Sequence, residues 1–448
     1  MKRPTAGFAW TRQPAIRVRR DQDPARPVAR GRQSWGRWRL GDGVETRASS
    51  DGEWLSEGPA AEDNQMRVAL IATAAFDYCI EYAEMLTESC NVLLCAPEKC
   101  LAGRALIDPK IEIARFDWLR HRSPFSFVLI VRLLVRIRAW RPDIVHFLGE
   151  NNVWLNLMPP LMGRTPVVTT VHDIEYHPGD AESRRVPRVF IDRFIRQSDA
   201  IIVHGEKLRS AALGKLSTPA DRMFVFPHPP LTYYARLAQR NKMVRTKDGL
   251  FRVLFFGRIY EYKGLKYLIE AAQMALPRLP SLRVVVAGRG DDPAKGSMSI
   301  SAPEIFDLRN RFIPDLELAQ LLTDADVVAL PYIEASQSGV LMVALAFGLP
   351  VIATDVGEIA NVVRMTGAGV VVPPRDSRAL AGALVELGAN APLRQSFAKA
   401  AAEALQGLYS RKILAARAKD IYEMVLSRDA RAVRRVATLG RKCNKQSL

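Results

Sequence analysis

The chain has 448 residues, 64 of them Lys or Arg and 47 Asp or Glu, for a formal net charge of +17. Hydrophobic residues at 48% and charged residues at 25% are ordinary globular proportions, which excludes a wholly disordered or a collagenous chain. No apolar run approaches the roughly 18 residues that span a bilayer; the best, Phe127–Val131, runs straight into Arg132.

The charge is unevenly spread. Residues 1–40 carry a net +9 and residues 41–65 a net −6. This opening stretch has no period of 2 or 3.6 and is rich in Arg, Pro, Gly and Asp, so residues 1–65 are expected to be a disordered extension. It lacks the apolar core of a secretory signal, and Asp21, Asp23 and its acidic second half argue against an organelle transit peptide. The run Met66–Ala72 reads as the first strand of the folded part. Five cysteines form neither a disulfide framework nor a Cys-x-x-Cys zinc pattern and read as reduced, buried thiols.

From there short apolar runs alternate with helical patterns. Strands are predicted at Val68–Ala72, Val92–Cys95, Ile111–Ala114, Ile144–Phe147, Val167–Val171, Ala200–Val203 and Met223–Phe226, with helices at 76–89, 125–140 and 186–197. Residues 231–249 are polar and weakly patterned, as in a linker. A second series follows. Its strands are Phe251–Phe256, Leu282–Ala287, Val327–Leu330, Val351–Thr354 and Ala368–Val372, and its helices 264–276, 315–323 and 339–347. The rest is helical at 377–388, 392–406 and 410–426, and a basic tail, 428–448, is expected to fray. Such alternation implies parallel strands with crossover helices, an α/β class of two Rossmann-like halves over 66–230 and 250–408.

A basic surface suits nucleic acid, anionic membrane or phosphorylated small molecules. No zinc finger, RNA-recognition signature or basic zipper is present, which sets nucleic acid aside. The segment 125–141 mixes Phe125, Phe127, Leu129, Leu133, Leu134, Ile137 and Trp140 with Arg132, Arg136, Arg138 and Arg141. Two readings fit it: a helix resting on an anionic membrane surface, or a core helix with solvated arginines.

Two stretches carry chemistry. Gly257-Arg258 follows directly on the buried strand Phe251–Phe256, and Lys263-Gly264 opens the next helix. Both cations then stand at the carboxyl edge of a parallel sheet, outside the core, where α/β ligands bind and where a diphosphate would be neutralised. In Pro331-Tyr-Ile-Glu334-Ala-Ser336-Gln337-Ser338-Gly339 a strand ends, a small polar loop follows and an apolar helix begins. Exposed N–H groups at a helix start bind anions, and Ser336 and Ser338 add hydroxyls; a serine there also caps the helix.

Taken together, these segments resemble the retaining glycosyltransferases of family 4, with the GT-B fold. The resemblance runs from Met66 to about Leu426 through eight segments in order. In the first half they are Arg141–His146, Pro166–Asp173, Asp199–Val203 and Val225–His228. In the second they are Gly257-Arg258 with Lys263-Gly264, Val284–Gly288, Ala325–Pro331 and Ala346–Val351.

The resemblance implies two Rossmann-like domains facing across a cleft: an acceptor side at 66–230, a linker at 231–249, a donor-nucleotide domain at 250–408 and a C-terminal crossover helix at 409–427. It implies transfer of a sugar from a nucleotide-diphosphate sugar to a glycan or lipid-linked acceptor with retained configuration, in cell-surface polysaccharide or glycoconjugate synthesis. By the same resemblance Arg258 and Lys263 hold the diphosphate, and His172 reaches the donor sugar. The loop Ser336, Gln337, Ser338 and Gly339, with Gly257, binds the donor. No metal and no cofactor beyond the donor are implied. The expected place of action is the cytoplasm, with the basic charge and the segment 125–141 pointing to peripheral binding at the inner membrane face.

The family carries two Glu separated by seven residues. Here those positions hold Ala335 and Val343, and Glu334 stands in for the first with a one-residue shift. The glycine-rich loop after the first strand is replaced by Thr73–Asp77. Two competing readings follow: a GT-B binding or scaffold protein without turnover, and a sugar-nucleotide epimerase. A phosphorylase would need a pyridoxal-lysine context that the sequence lacks.

Overall fold

The computed structural model describes residues 65–443, apart from 73–74, 102–103, 105, 118, 120–122, 124, 150–153, 155–157, 175–185, 217 and 292–299. The expectation of a disordered extension therefore falls on residues outside the described part, as does the Asp21–Asp23 pair.

The first sheet has seven parallel strands: β1 Arg67–Ile71, β2 Asn91–Pro97, β3 Glu112–Phe116, β4 Ile144–Phe147, β5 Val167–Val171, β6 Ala200–Val203 and β7 Met223–Val225. Their order is β3-β2-β1-β4-β5-β6-β7. The second sheet has six, β8 Phe251–Phe256, β9 Leu282–Gly288, β10 Phe306–Asn310, β11 Val327–Leu330, β12 Val351–Thr354 and β13 Gly369–Val372, in the order β10-β9-β8-β11-β12-β13. Every residue of β4, β5, β6, β11 and β12 is buried, as strands covered by helices on both faces must be. In each sheet the direction of growth reverses beside the first strand, between β1 and β4 and between β8 and β11. That reversal opens a crevice at the carboxyl ends, the usual ligand position in such sheets. The expected α/β class with two Rossmann-like halves is the observed one.

Several elements lie where the sequence pattern was silent, among them helix Glu206–Leu216 and the following three. The strand β10 is half-exposed along its length, so it lacks the apolar run that marks its neighbours. The helix Ile359–Thr366 follows β12. The helix Tyr233–Arg240 occupies part of the expected linker; it buries Tyr233, Tyr234 and Leu237 and leaves Gln239 and Arg240 exposed. The largest apolar cluster runs through both halves and includes these three residues. The last helix, Arg411–Cys443, continues past Arg428, where a frayed tail was expected.

That helix returns to the first half. The Tyr422 hydroxyl lies 3.2 Å from the Tyr82 hydroxyl and 2.7 Å from His146 Nδ1. Arg411 and Arg236 meet the fully buried Glu84 carboxylate at 2.7 and 2.8 Å. A charge with no exposure needs such partners, so helix Phe76–Leu86 is fastened to both chain crossings between the halves.

Helix Phe125–Trp140 buries Ser126, Ile130, Leu133, Leu134, Ile137 and Trp140 at helical spacing. Its outer face is not simply polar. Phe125, Phe127, Val128, Val131 and Val135 are exposed among Arg132, Arg136 and Arg138. Among the described residues no helix is long and apolar enough to cross a membrane.

Candidate functional site

In the second half the site is built from two strand ends. Gly257 follows directly on strand β8, and Arg258 comes next as an exposed side chain with its guanidinium carbon 5.5 Å from the Tyr260 ring centre. A short 3-10 turn, Glu261–Lys263, then brings Lys263 back toward the end of β11. Lys263 is not outside the core, as expected, but buried to 7% exposure. Its Nζ donates to the Tyr332 hydroxyl at 2.5 Å and stands 4.1 Å from the Tyr332 ring centre. The Tyr332 hydroxyl is 3.3 Å from Ser338 Oγ, and Ser338 Oγ accepts from Leu341 N at 3.3 Å, capping helix Gly339–Ala346. Lys263, Tyr332 and Ser338 thus form one hydrogen-bonded line from the first stretch to the second. Burial, helped by the Arg258 charge and opposed by Asp173 of the first half, lowers the Lys263 pKa to about 7.

The turn that places Lys263 depends on Gly264. Its φ is +66°, and a Cβ there would lie 1.9 Å from the Pro331 carbonyl oxygen. The left-handed conformation alone costs a side-chain-bearing residue about 1–3 kcal/mol, and the overlap adds to that. Gly264→Ala is expected to push the Lys263 turn off the Pro331–Tyr332 strand end. A melting curve should show clear destabilisation, and nucleotide titration a loss of affinity. An unchanged protein by both measures would mean that the turn is not held against Pro331.

The other expected donor-side residues cluster around this line. Gly339 begins the helix, and Ser336 offers its carbonyl to Glu358 N at 3.1 Å. Gln337 is half-buried with its Oε1 unpartnered, and Glu334 is exposed on the loop. The two positions where the family carries Glu are interior here: Ala335 and Val343 are 8% and 3% exposed. Beside Gly257 and Arg258 lies a cavity of about 470 Å³, lined also by Tyr260, Arg289, Arg311 and Phe312. That is within the range of small-ligand sites. Arg289, Arg311 and Phe312 were missed from sequence, although Gly288-Arg289-Gly290 directly follows a buried strand.

In the first half His172 follows β5 and is 8% exposed. Its Nε2 donates to the Leu148 carbonyl at 3.1 Å, leaving Nδ1 as an acceptor in the neutral ring. It belongs to a row. His146 lies within β4, one residue before its end, His204 follows β6 and His228 comes after β7, all of them buried. The Tyr78 ring packs edge-on against His172, His204 and His228 at 4.8, 5.2 and 5.0 Å. Burial lowers the pKa of all four, His146 and His228 to about 3, so the row is neutral. His204 was missed, yet Val171-His172 and Val203-His204 repeat one signal, a strand-ending valine followed by histidine.

Family models match both halves: residues 77–229 match "Glycosyltransferase Family 4" and residues 251–390 match "Glycosyl transferases group 1". A phosphatidyl-myo-inositol mannosyltransferase of Mycobacterium leprae is 33% identical over 175 residues, 39% of this chain and 46% of that protein. A D-inositol 3-phosphate glycosyltransferase of Jonesia denitrificans is 27% identical over 57% of this chain and 65% of its own length. The chain therefore spans about half to two thirds of these two relatives. Among solved structures, sucrose-phosphate synthase from Thermosynechococcus elongatus superposes with a TM-score of 0.61 at 17% identity, over 81% of this chain and 100% of that one. The Anabaena protein HepE in complex with UDP gives 0.58 at 16% identity, over 80% and 100%. At such identities the structural likeness concerns the fold, and the fold is GT-B.

Proposed function

The chain belongs to the family 4 glycosyltransferases, and from that premise we propose that it moves a sugar from a nucleotide-diphosphate sugar to a glycan or lipid-linked acceptor with retained configuration. The observation that carries this reading is the Lys263–Tyr332–Ser338 line at the switch point of the second sheet, beside a nucleoside-sized cavity at Gly257 and Arg258. In this reading the nucleoside lies in that cavity, and the diphosphate meets Arg258, Lys263 and the helix start at Ser338–Gly339. Both cations oppose the negative charge that grows on the leaving diphosphate, the role of fixed electrostatic groups in transfer chemistry. The anomeric carbon–oxygen bond breaks, the acceptor oxygen bonds on the same face, and the acceptor proton departs with the diphosphate. His172 presents Nδ1 as an acceptor to a donor-sugar hydroxyl.

A thermal-shift panel of nucleotide-diphosphate sugars tests the premise, since a bound ligand raises apparent stability by mass action. Proton NMR of the product then reads the anomeric configuration. A shift without turnover would favour the binding-protein reading, which the buried Ala335 and Val343 already commend. Full activity is expected in chelator, because protein cations face the diphosphate; loss restored by magnesium or manganese would overturn the metal-independent reading.

The acceptor is proposed to be membrane-associated and the enzyme peripheral on the inner, cytoplasmic membrane face, acting in glycoconjugate synthesis. The support is the outer face of helix Phe125–Trp140, which joins five exposed apolar residues to Arg132, Arg136 and Arg138. Each arginine near an anionic surface contributes on the order of 1 kcal/mol, fading over a Debye length of roughly 8 Å. In vesicle sedimentation, binding should appear with anionic lipid, fall in high salt and weaken in Arg132→Gln/Arg136→Gln. Equal recovery with neutral vesicles would leave the basic charge to the phosphorylated donor alone.

A further inference from the structure

We propose that Glu358 is a positioning residue that couples the approach of the two halves to the placement of the loop Ser336–Gly339. The proposal rests on the donor-binding reading of that loop. In the first half, helix Glu206–Leu216 starts at Gly205, whose carbonyl accepts from Arg209 N at 2.9 Å. The first N–H groups of a helix have no partners within it, and a Ser, Thr, Asp or Asn at the cap ordinarily supplies an oxygen. Gly205 has no side chain to do so.

Glu358, from the second half, takes that place. Its Oε1 accepts from Lys207 N at 2.7 Å, and Lys207 Nζ donates to the Gly357 carbonyl at 3.0 Å. Asn361 Nδ2 donates to the other carboxylate oxygen at 2.9 Å, fixing the plane of a side chain that is 7% exposed. The fit depends on a missing methyl group: a Cβ on Gly205 would lie 2.2 Å from Glu358 Cδ and 2.4 Å from Oε1. A carboxylate at a helix start is also favoured by the helix dipole.

The same residue reaches the donor loop. Glu358 N donates to the Ser336 carbonyl at 3.1 Å. One residue therefore grips the first half with its side chain and the loop with its backbone. If the halves part, the carboxylate loses the helix start and the loop loses a fixed neighbour. The cavity at Gly257 and Arg258 is lined by residues of the second half alone and does not include Glu358. Breaking this contact should accordingly cost sugar transfer more than nucleotide binding.

The test pairs Glu358→Ala with Gly205→Ala, which displaces the carboxylate without removing it. Each is expected to lower kcat about ten- to a hundredfold, as small misplacements do. Calorimetric affinity for UDP or GDP, the probes used, should fall by clearly less than kcat does, because Arg258, Lys263 and the cavity beside them stay in place and only the loop's share of the diphosphate contacts is loosened. Small-angle scattering of the ligand-free protein should show a larger radius of gyration in both variants. The double variant should be no worse than either single one, because both break one contact. Glu358→Gln keeps an acceptor oxygen for Lys207 N and should recover part of the rate. Nucleotide affinity falling in step with kcat would make Glu358 part of the donor pocket and overturn the proposal. Additive losses, or unchanged scattering, would overturn it equally. If neither nucleotide binds the wild-type protein, the donor reading fails by itself, and scattering with the double variant's melting still decides whether Glu358 joins the halves.

Discussion

Lys263→Met is expected to lower kcat by about two to three orders of magnitude, the usual loss when one fixed stabiliser of a transition-state charge is removed. The same change should leave the melting temperature level or raise it. Lys263 is buried, and its pKa is displaced from 10.5 to about 7, so keeping it charged in the fold costs stability at and below neutral pH. Each pKa unit corresponds to about 1.4 kcal/mol, so the penalty is on the order of a few kcal/mol. Methionine has similar length and no charge to desolvate. The Tyr332 hydroxyl loses a donor but keeps Ser338 at 3.3 Å. Function and stability then move in opposite directions, as they do where a site is held in a strained electrostatic state. Arg258→Ala should act in the same direction with a smaller effect. Arg258 is exposed, and a charge pair at 4 Å is worth about 1 kcal/mol in water against about 4 at an effective dielectric of 20. Single-turnover rates and melting curves of the two variants decide this. Equal losses in both, or a large fall in stability for Lys263→Met, would place Lys263 in the scaffold and not in the chemistry.

That split between the two cations was not legible in the sequence. What could be read were local patterns: buried strands such as Ala200–Val203, the Gly257-Arg258 pair directly after a strand, and the Ser338 cap before an apolar helix. These depend on neighbours in the chain. The burial of Lys263 depends on Tyr332, 69 residues later, which only the pairing of β8 with β11 brings near. The Glu358–Lys207 contact joins residues 151 apart across two sheets. Helix Tyr233–Arg240 was hidden for another reason. Its large apolar residues are only Tyr233, Tyr234 and Leu237, set among Arg236, Gln239 and Arg240, so the stretch reads as a linker until the facing helix Asp315–Asp324 is known. Strand β10 was hidden by Asp307 and Arg309, which pair with each other on a half-exposed edge at 2.7 Å.

Donor affinity is expected to fall as pH rises above 7. The sign follows from which form of Lys263 binds. With its pKa lowered to about 7, Lys263 is charged below that pH and loses its proton above it. A diphosphate diester keeps both negative charges throughout this range, and Arg258 stays protonated. The bound diphosphate favours the charged lysine and raises its pKa, so binding above pH 7 takes up a proton. Apparent affinity should be level below pH 7 and then drop by up to about tenfold per pH unit until the raised pKa of the complex is reached. The neutral histidine row gives no competing step here, since burial lowers all four pKa values away from this window. A nucleotide-diphosphate sugar is the proper ligand, because the terminal phosphate of a free nucleoside diphosphate titrates near neutrality itself. Calorimetry in buffers of different ionisation enthalpy should reveal the proton uptake at pH 8 and its absence at pH 6. Lys263→Arg supplies the control: a guanidinium remains charged in this range, so its profile should be flat even if its affinity is lower. A wild-type affinity independent of pH from 6 to 9 would mean that Lys263 does not meet the diphosphate, and the charge it feels would then have to be read as part of the fold alone.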